Sequence, residues 1–308
     1  MNGAWIELEE LNLHRGGRPV LQGITAALGG RAVGLVGANG AGKSTLIGAL
    51  LGVLRARSGR IRVLGLELPA RAMEVRARSG VMAEQAGIFP GGSGVDAVVF
   101  AGMLSGLSRR ESLRRAHRAL DALDVGEERY RATRSYSTGM RQRTKLAMSL
   151  VHDPEVLILD EPTVGLDPPG RVQLLNLIRD LRDEGRRILI STHILHDAEY
   201  LCDELLLLEG GAVAYYGSVT GILGPESAVL VAEGSGLDQD LAARLTASGV
   251  RAEARGEGRM TVRPATDADL LNFWRMVTES GAEVRHLGRE VPTLEDAVVD
   301  VMEKTGGR

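Results

Sequence analysis

Apolar and polar positions alternate from Trp5 to Leu13 and predict a strand, and Val20 to Leu28 predicts a second. Arg31 to Val36 is a short apolar run that enters a glycine-rich turn, and Ser44 to Leu54 is apolar at helical spacing. Gly94 to Leu123 reads as mostly helical, apolar near Val95 to Leu107 and basic from Arg109 to Arg118. Thr138 to Val151 predicts a helix. Val156 to Leu159 is wholly apolar, as expected of a strand in a parallel sheet covered on both faces. Helix Arg171 to Glu184, strand Arg187 to Ser191, helix Leu195 to Cys202 and a hairpin from Glu204 to Tyr216, turning at Gly210-Gly211, complete this part. Repeated strand–helix units imply an α/β fold with a largely parallel sheet.

The pattern changes after Gly217. A connector at Gly221 to Glu226 precedes strand Ala228 to Ala232, helix Leu237 to Ala247, strands Val250 to Ala254 and Arg259 to Arg263, helix Asp267 to Ser280 and strand Glu283 to Leu287. A last helix spans Leu294 to Glu303. The order βαββαβ predicts a small α+β, ferredoxin-like domain. The expected division is therefore 1–217 and 218–308.

The chain has 308 residues, of which 44% are hydrophobic, enough for one large core and a small one. A net charge of −3 argues against a partner bound through many phosphates, so no nucleic acid is expected. Cys202 is the single cysteine, which excludes an internal disulfide and a cysteine metal site; it is expected to be core filler. The first ten residues carry Glu7, Glu9 and Glu10 and lack a secretory pattern. No run approaches the roughly 18 apolar residues of a membrane helix, so any membrane role must come through a partner.

Gly37-Ala38-Asn39-Gly40-Ala41-Gly42-Lys43-Ser44 fits a phosphate loop in full, with a strand before it and a helix after it. Glycines let successive backbone N–H groups converge on one centre, and the helix N-terminus adds partial positive charge. Lys43 is expected to reach the β- and γ-phosphates of ATP, and the Ser44 hydroxyl to ligate Mg2+; Thr45 completes the binding segment. The apolar strand Val156 to Leu159 delivers Asp160 and Glu161 at its C-terminal end, where ligands sit in open α/β sheets. Asp160 is expected to hold Mg2+ through water, and Glu161 to act as general base on the attacking water. The competing reading of each motif is an inert glycine loop and an acidic strand end capping a turn; their co-occurrence disfavours both.

Tyr136-Ser137-Thr138-Gly139-Met140-Arg141-Gln142-Arg143 resembles the signature motif of ABC ATPases and precedes the Asp160-Glu161 strand as it does in that family. Ser137 and Gly139 keep the family's main positions, while Thr138 and Met140 replace the commoner Gly and Gln. The plainer reading, Ser137 as a helix N-cap, is compatible. Pro162 to Asp167, with Gly165-Leu166-Asp167, resembles the D-loop, which lies across the dimer interface in that family, and His193 matches the switch histidine that contacts the γ-phosphate and the attacking water.

The resemblance implies a P-loop NTPase of ABC type: a mostly parallel core sheet, an antiparallel β subdomain and a helical subdomain at about 85–150. It further implies a head-to-tail dimer, expected to be a homodimer, in which each signature closes over ATP on the other copy's phosphate loop. Integral-membrane permease subunits would hold the protein on the cytoplasmic face of the membrane.

Two positions depart from the family. Arg15 stands where an aromatic stacks on adenine, and its planar guanidinium is expected to stack instead. Glu84 occupies the Gln column of the Q-loop, counting back from Ile88-Phe89-Pro90, with Gln85 next; a carboxylate there can also ligate Mg2+. The stretch Glu84 to Leu107, with Phe89, Phe100 and Met103, corresponds to the surface that receives a permease helix, although helical spacing alone fits ordinary core equally well. Pro292-Thr293-Leu294-Glu295-Asp296-Ala297 is similar to the end of subunits of efflux-type transporters, which favours export. Two rival functions remain open. One is an ABC ATPase acting on ribosomes or DNA, which would normally show two ATPase halves, a long coiled coil or Cys clusters. The other is a regulator that binds ATP without hydrolysing it.

Overall fold

A computed structural model describes residues 3–84, 87–88, 92–223, 229–256, 258–264, 266–290 and 293–306. It divides into two compact units, Met1–Val219 with Lys304–Arg308, and Thr220–Glu303.

In the first unit β1 (Ile6–Arg15) and β2 (Arg18–Leu28) form an antiparallel hairpin. β3 (Ala32–Val36) is wholly buried and runs through the glycine loop into α1 (Lys43–Leu50). β4 (Ser58–Val63) pairs with β1 and β5 (Leu66–Leu68) with β4, giving an antiparallel sheet ordered β2-β1-β4-β5. A short α2 (Ala72–Ala77) leads to β6 (Ser79–Met82). No expectation covered β4, β5, α2 and β6, because their apolar positions are few and broken by charge.

α3 (Gly94–Leu104), α4 (Arg109–Ala122) and α5 (Thr138–Leu150) build the helical subdomain. The single helical stretch expected over 94–123 is two helices. Gly106 adopts φ +89°, which ends α3, and the Ser108 hydroxyl caps α4 by accepting from Glu111 N at 3.2 Å.

β7 (Val156–Asp160), α6 (Pro168–Asp183), β8 (Arg187–Thr192), α7 (Leu195–Leu201), β9 (Glu204–Glu209) and β10 (Ala212–Ser218) complete the unit. The central sheet is ordered β10-β9-β3-β8-β7-β6, parallel except for the β9–β10 hairpin. Both its faces are covered, so β3 and β7 contain no exposed position. Register aligns Val36 with Thr192 and Asp160 with Ser191. The loops leaving β3, β7 and β8 therefore emerge side by side at one edge. Cys202 is buried just after α7, and burial pushes its thiol above the ordinary range.

After α8 (Val219–Leu223), the second unit contains β11 (Val229–Ser235), α9 (Gln239–Ala247), β12 (Arg251–Ala254), β13 (Arg259–Arg263), α10 (Asp267–Ser280), β14 (Glu283–Glu290) and most of α11 (Leu294–Gly306), as far as Glu303. The sheet order β12-β13-β11-β14, antiparallel throughout, is ferredoxin-like. Its core gathers Leu241, Leu245, Met260, Val262, Phe273 and Val277. Thr266 and Asp269 cap α10 reciprocally, and Thr293 and Asp296 do the same for α11, which is what the Thr293-to-Asp296 run encodes locally. Half of the expected connector, 224–226, and Pro292 lie outside the described residues, while its first half, 221–223, is the end of α8. No helix among the described residues is long and apolar enough to cross a membrane.

Candidate active site

The loop between β3 and α1 is shaped by close approach. A Cβ on Gly42, which has φ +104°, would stand 2.6 Å from Leu21 Cδ2, and one on Gly37 would meet Leu208 O at 2.5 Å. These contacts admit only glycine. Each of α3, α4, α5 and α6 has a side-chain cap, but α1 has none and carries no acid in its first turn. Its N-terminal dipole and amides are left to an anion.

A cavity of about 550 Å³ opens over this loop. Ala38, Asn39, Gly40, Gly42, Lys43, Ser44 and Thr45 line it, together with Arg15, Glu84, Glu161 and His193. Residues from five separate stretches of chain are thus brought to one place. Gly37 and Ala41 stand behind the lining: Gly37 O accepts from Lys43 Nζ at 2.7 Å, and Ala41 is buried.

Lys43 Nζ lies 3.5 Å from Glu161 Oε1, with both side chains buried. The other carboxylate oxygen, Oε2, is 2.9 Å from His193 Nδ1. A carboxylate oxygen accepts, so the contact places a donor at Nδ1 and leaves Nε2 facing away from Glu161. Glu161 has φ +50°, a left-handed conformation unfavourable for a residue with a Cβ. Its N–H donates to Ser191 O at 3.1 Å, which helps hold the chain in that turn. The strained residue aims its carboxylate between Lys43 and His193. Glu161 Oε1 is buried and accepts no hydrogen bond, facing Lys43 Nζ at 3.5 Å.

Asp160 is buried one residue earlier, at the end of β7, and accepts from the Ser191 hydroxyl. Ser44 is exposed into the cavity. Among the described residues no cluster of three or more His, Cys, Asp or Glu could hold a metal unaided. That donor set, a hydroxyl and carboxylates with room for further oxygens, fits Mg2+, which binds one or two protein groups and completes its shell with water and phosphate.

Ser137 and Gly139 are elsewhere. They line a second cleft of about 630 Å³ with Thr138, Gly165, Leu166 and Asp167, and this cleft shares no lining residue with the first. Ser137 caps α5 through Met140 N at 3.2 Å. Gln142 Nε2 donates to Val164 O at 3.2 Å and ties α5 to the loop between β7 and α6. Gln142 and Thr163 fall inside the signature-like and D-loop-like runs without roles of their own, and the sequence gives no role to Ser191 or Asp197; the bonds these four make become visible only in the fold. Phe100 and Met103 are exposed on α3, while Gln85, Phe89 and Pro90 lie outside the described residues.

The ABC transporter family profile matches residues 26–164. Over 268 residues the chain is 33% identical to the daunorubicin resistance ATP-binding protein DrrA3 of Streptomyces coeruleorubidus, covering 85% of this chain and 84% of that one. It is 34% identical over 229 residues to the Nod factor export ATP-binding protein I of Cupriavidus metallidurans, with coverages of 74% and 76%. The solved structure of cbiO1 from Clostridium perfringens, part of the ABC transporter complex cbiONQ, superposes with a TM-score of 0.65 at 29% identity, over 73% of this chain and 92% of that one. The chain belongs to the ATP-binding subunits of ABC transporters, a family of ATPases that bind ATP with Mg2+.

Proposed function

We propose that the chain powers export of a small molecule through a separate membrane permease, two copies closing head to tail around two ATP molecules. The observation that supports the dimer is the separation of the two clefts: Ser137, at the α5 N-terminus, lines a cleft that has no residue in common with the one over its own phosphate loop. A γ-phosphate held by Lys43 in one copy would be gripped by Ser137 and Gly139 of the other. Export is favoured by relatives named for drug resistance and Nod factor export. No observation favours a ribosome- or DNA-bound role.

Arg15 stacks on the base, the 37–45 segment wraps the phosphates, and Ser44, Asp160 and Glu84 hold Mg2+, whose charge offsets that of the transferred phosphoryl group. Glu161 takes the proton of the attacking water, and His193 orients that water and the γ-phosphate. Residues 1–217 form the ATPase domain, and 218–308 an accessory domain. The permease would place the protein on the cytoplasmic face of the membrane, with the exposed Phe100 and Met103 surface as its seat.

Sedimentation of Glu161→Gln with Mg-ATP tests this. A nucleotide-dependent dimer is expected, and a species that stays monomeric with ATP bound, permease included, overturns it.

A further inference from the structure

Asp197, on α7, is a fully buried carboxyl group four residues after His193. Its Oδ2 accepts from the Thr163 hydroxyl at 2.6 Å, and its Oδ1 from Arg171 Nε at 2.5 Å. Thr163 is itself buried and lies two residues after Glu161. A closed ring results. One arm is the chain from Glu161 to Thr163, the other the chain from His193 to Asp197. Two side-chain bonds close it, Glu161–His193 at 2.9 Å and Thr163–Asp197 at 2.6 Å.

We propose that Asp197 and Thr163 are positioning residues that set the Glu161–His193 contact and transmit movement of the D-loop to it. A carboxylate buried without exposure needs its partners, since desolvation of an unpaired charge costs far more than the hydrogen bonds gain. The Thr163–Asp197 bond is therefore the fixed side of the ring, and the half-exposed His193 the movable side. Arg171, early in α6, carries the same carboxylate onto the helix that follows the D-loop. Val164, next to Thr163, is bonded to the signature helix through Gln142. Displacement of the signature or the D-loop thus reaches the Glu161–His193 pair through two hydrogen bonds and short chain segments. This rests on the catalytic reading of Glu161 and His193 given above.

The test is a double-mutant comparison on the purified full chain, reading phosphate release against ATP concentration. Thr163→Val keeps side-chain volume and leaves Asp197 its Arg171 partner. It is expected to lower kcat about tenfold with KM for ATP within about twofold, and Thr163→Ser to restore it. In a His193→Ala background the same change is expected to cost little more, because the ring is already open. Wild-type kcat in Thr163→Val, or an equal loss in both backgrounds, overturns the inference. If His193→Ala alone leaves kcat intact, the catalytic reading itself fails and this inference with it. Thermal melting of each variant separates a positioning effect from loss of fold.

Discussion

Lys43 Nζ sits 3.5 Å from Glu161 Oε1, joining the phosphate loop to the end of β7 by a buried ion pair. Removing the Glu161 charge leaves Lys43 without its counter-charge, costing about 3 kcal/mol or more. Gln keeps the side-chain shape, however, Lys43 keeps its bonds to Gly37 O and Ala38 O, and bound phosphate supplies negative charge in place of the carboxylate. Glu161→Gln is therefore expected to fold and bind Mg-ATP while kcat falls at least about a hundredfold, as for loss of a general base. Phosphate release and nucleotide binding on the same preparation check this. Turnover at the normal rate takes Glu161 out of the base role.

Ser137 both caps α5 and faces the second cleft. Ser137→Asp separates these jobs, because Asp caps a helix as well as Ser does but brings negative charge toward a phosphate. Stability is expected to stay within about 1 kcal/mol of wild type while the ATP-dependent dimer of Glu161→Gln is lost. Melting curves and sedimentation read the two quantities. A dimer that survives the added charge rejects the signature role.

Arg15 lies at the cavity wall beside Ala38 and Asn39. Stacking of a guanidinium on a base at an exposed site is worth about 0.5–1 kcal/mol, so Arg15→Ala should raise KM for ATP about twofold to fivefold and leave kcat alone. A variant with unchanged affinity shows that Arg15 makes no such contact.

Glu84 lines the same cavity, and its carbonyl accepts from Lys145 Nζ at 3.0 Å, which fixes the segment. Burial pulls the Lys145 ammonium below its ordinary range. Glu84→Ala should raise the Mg2+ concentration needed for half-maximal turnover about tenfold. A titration curve superimposable on wild type removes Glu84 from the metal site.

His152 is half-buried, with Nε2 3.1 Å from Ser79 O and Nδ1 buried without a partner. Burial holds its pKa below the usual value, although the Ser79 carbonyl opposes this. The unfolded chain therefore takes up the proton first as pH falls below about 6.5. The stability from the neutral ring is complete above that pH and is lost as pH drops through the lower folded-state pKa. His152→Gln should show a shallower fall in melting temperature from about pH 7 to about pH 5. Parallel acid limbs in the two proteins count against it.

Local chemistry made much of this readable from sequence. The phosphate loop needs glycines at set spacing, and the β7 run of Val156 to Leu159 must be apolar because both faces of its sheet are covered. Helix α10 was legible to the residue because Thr266 and Asp269 cap it at one end and Gly281, at φ +73°, stops it at the other. The β4–β5 pair was not, since its strands are short and held by β1 far away in sequence. The Asp197 ring was equally hidden. Thr163 and Asp197 are 34 residues apart, and no local pattern distinguishes a buried carboxylate on α7 from a solvated one.

The two clefts have no lining residue in common, and this lets damage be assigned by genetics. In the proposed head-to-tail pair, a Lys43-defective chain mixed with a Ser137-defective chain would collect both lesions in one compartment and leave the other whole. Chains carrying both lesions spoil each compartment they enter. Inactive alleles of this gene should accordingly sort into two complementing groups, split along the boundary between the clefts.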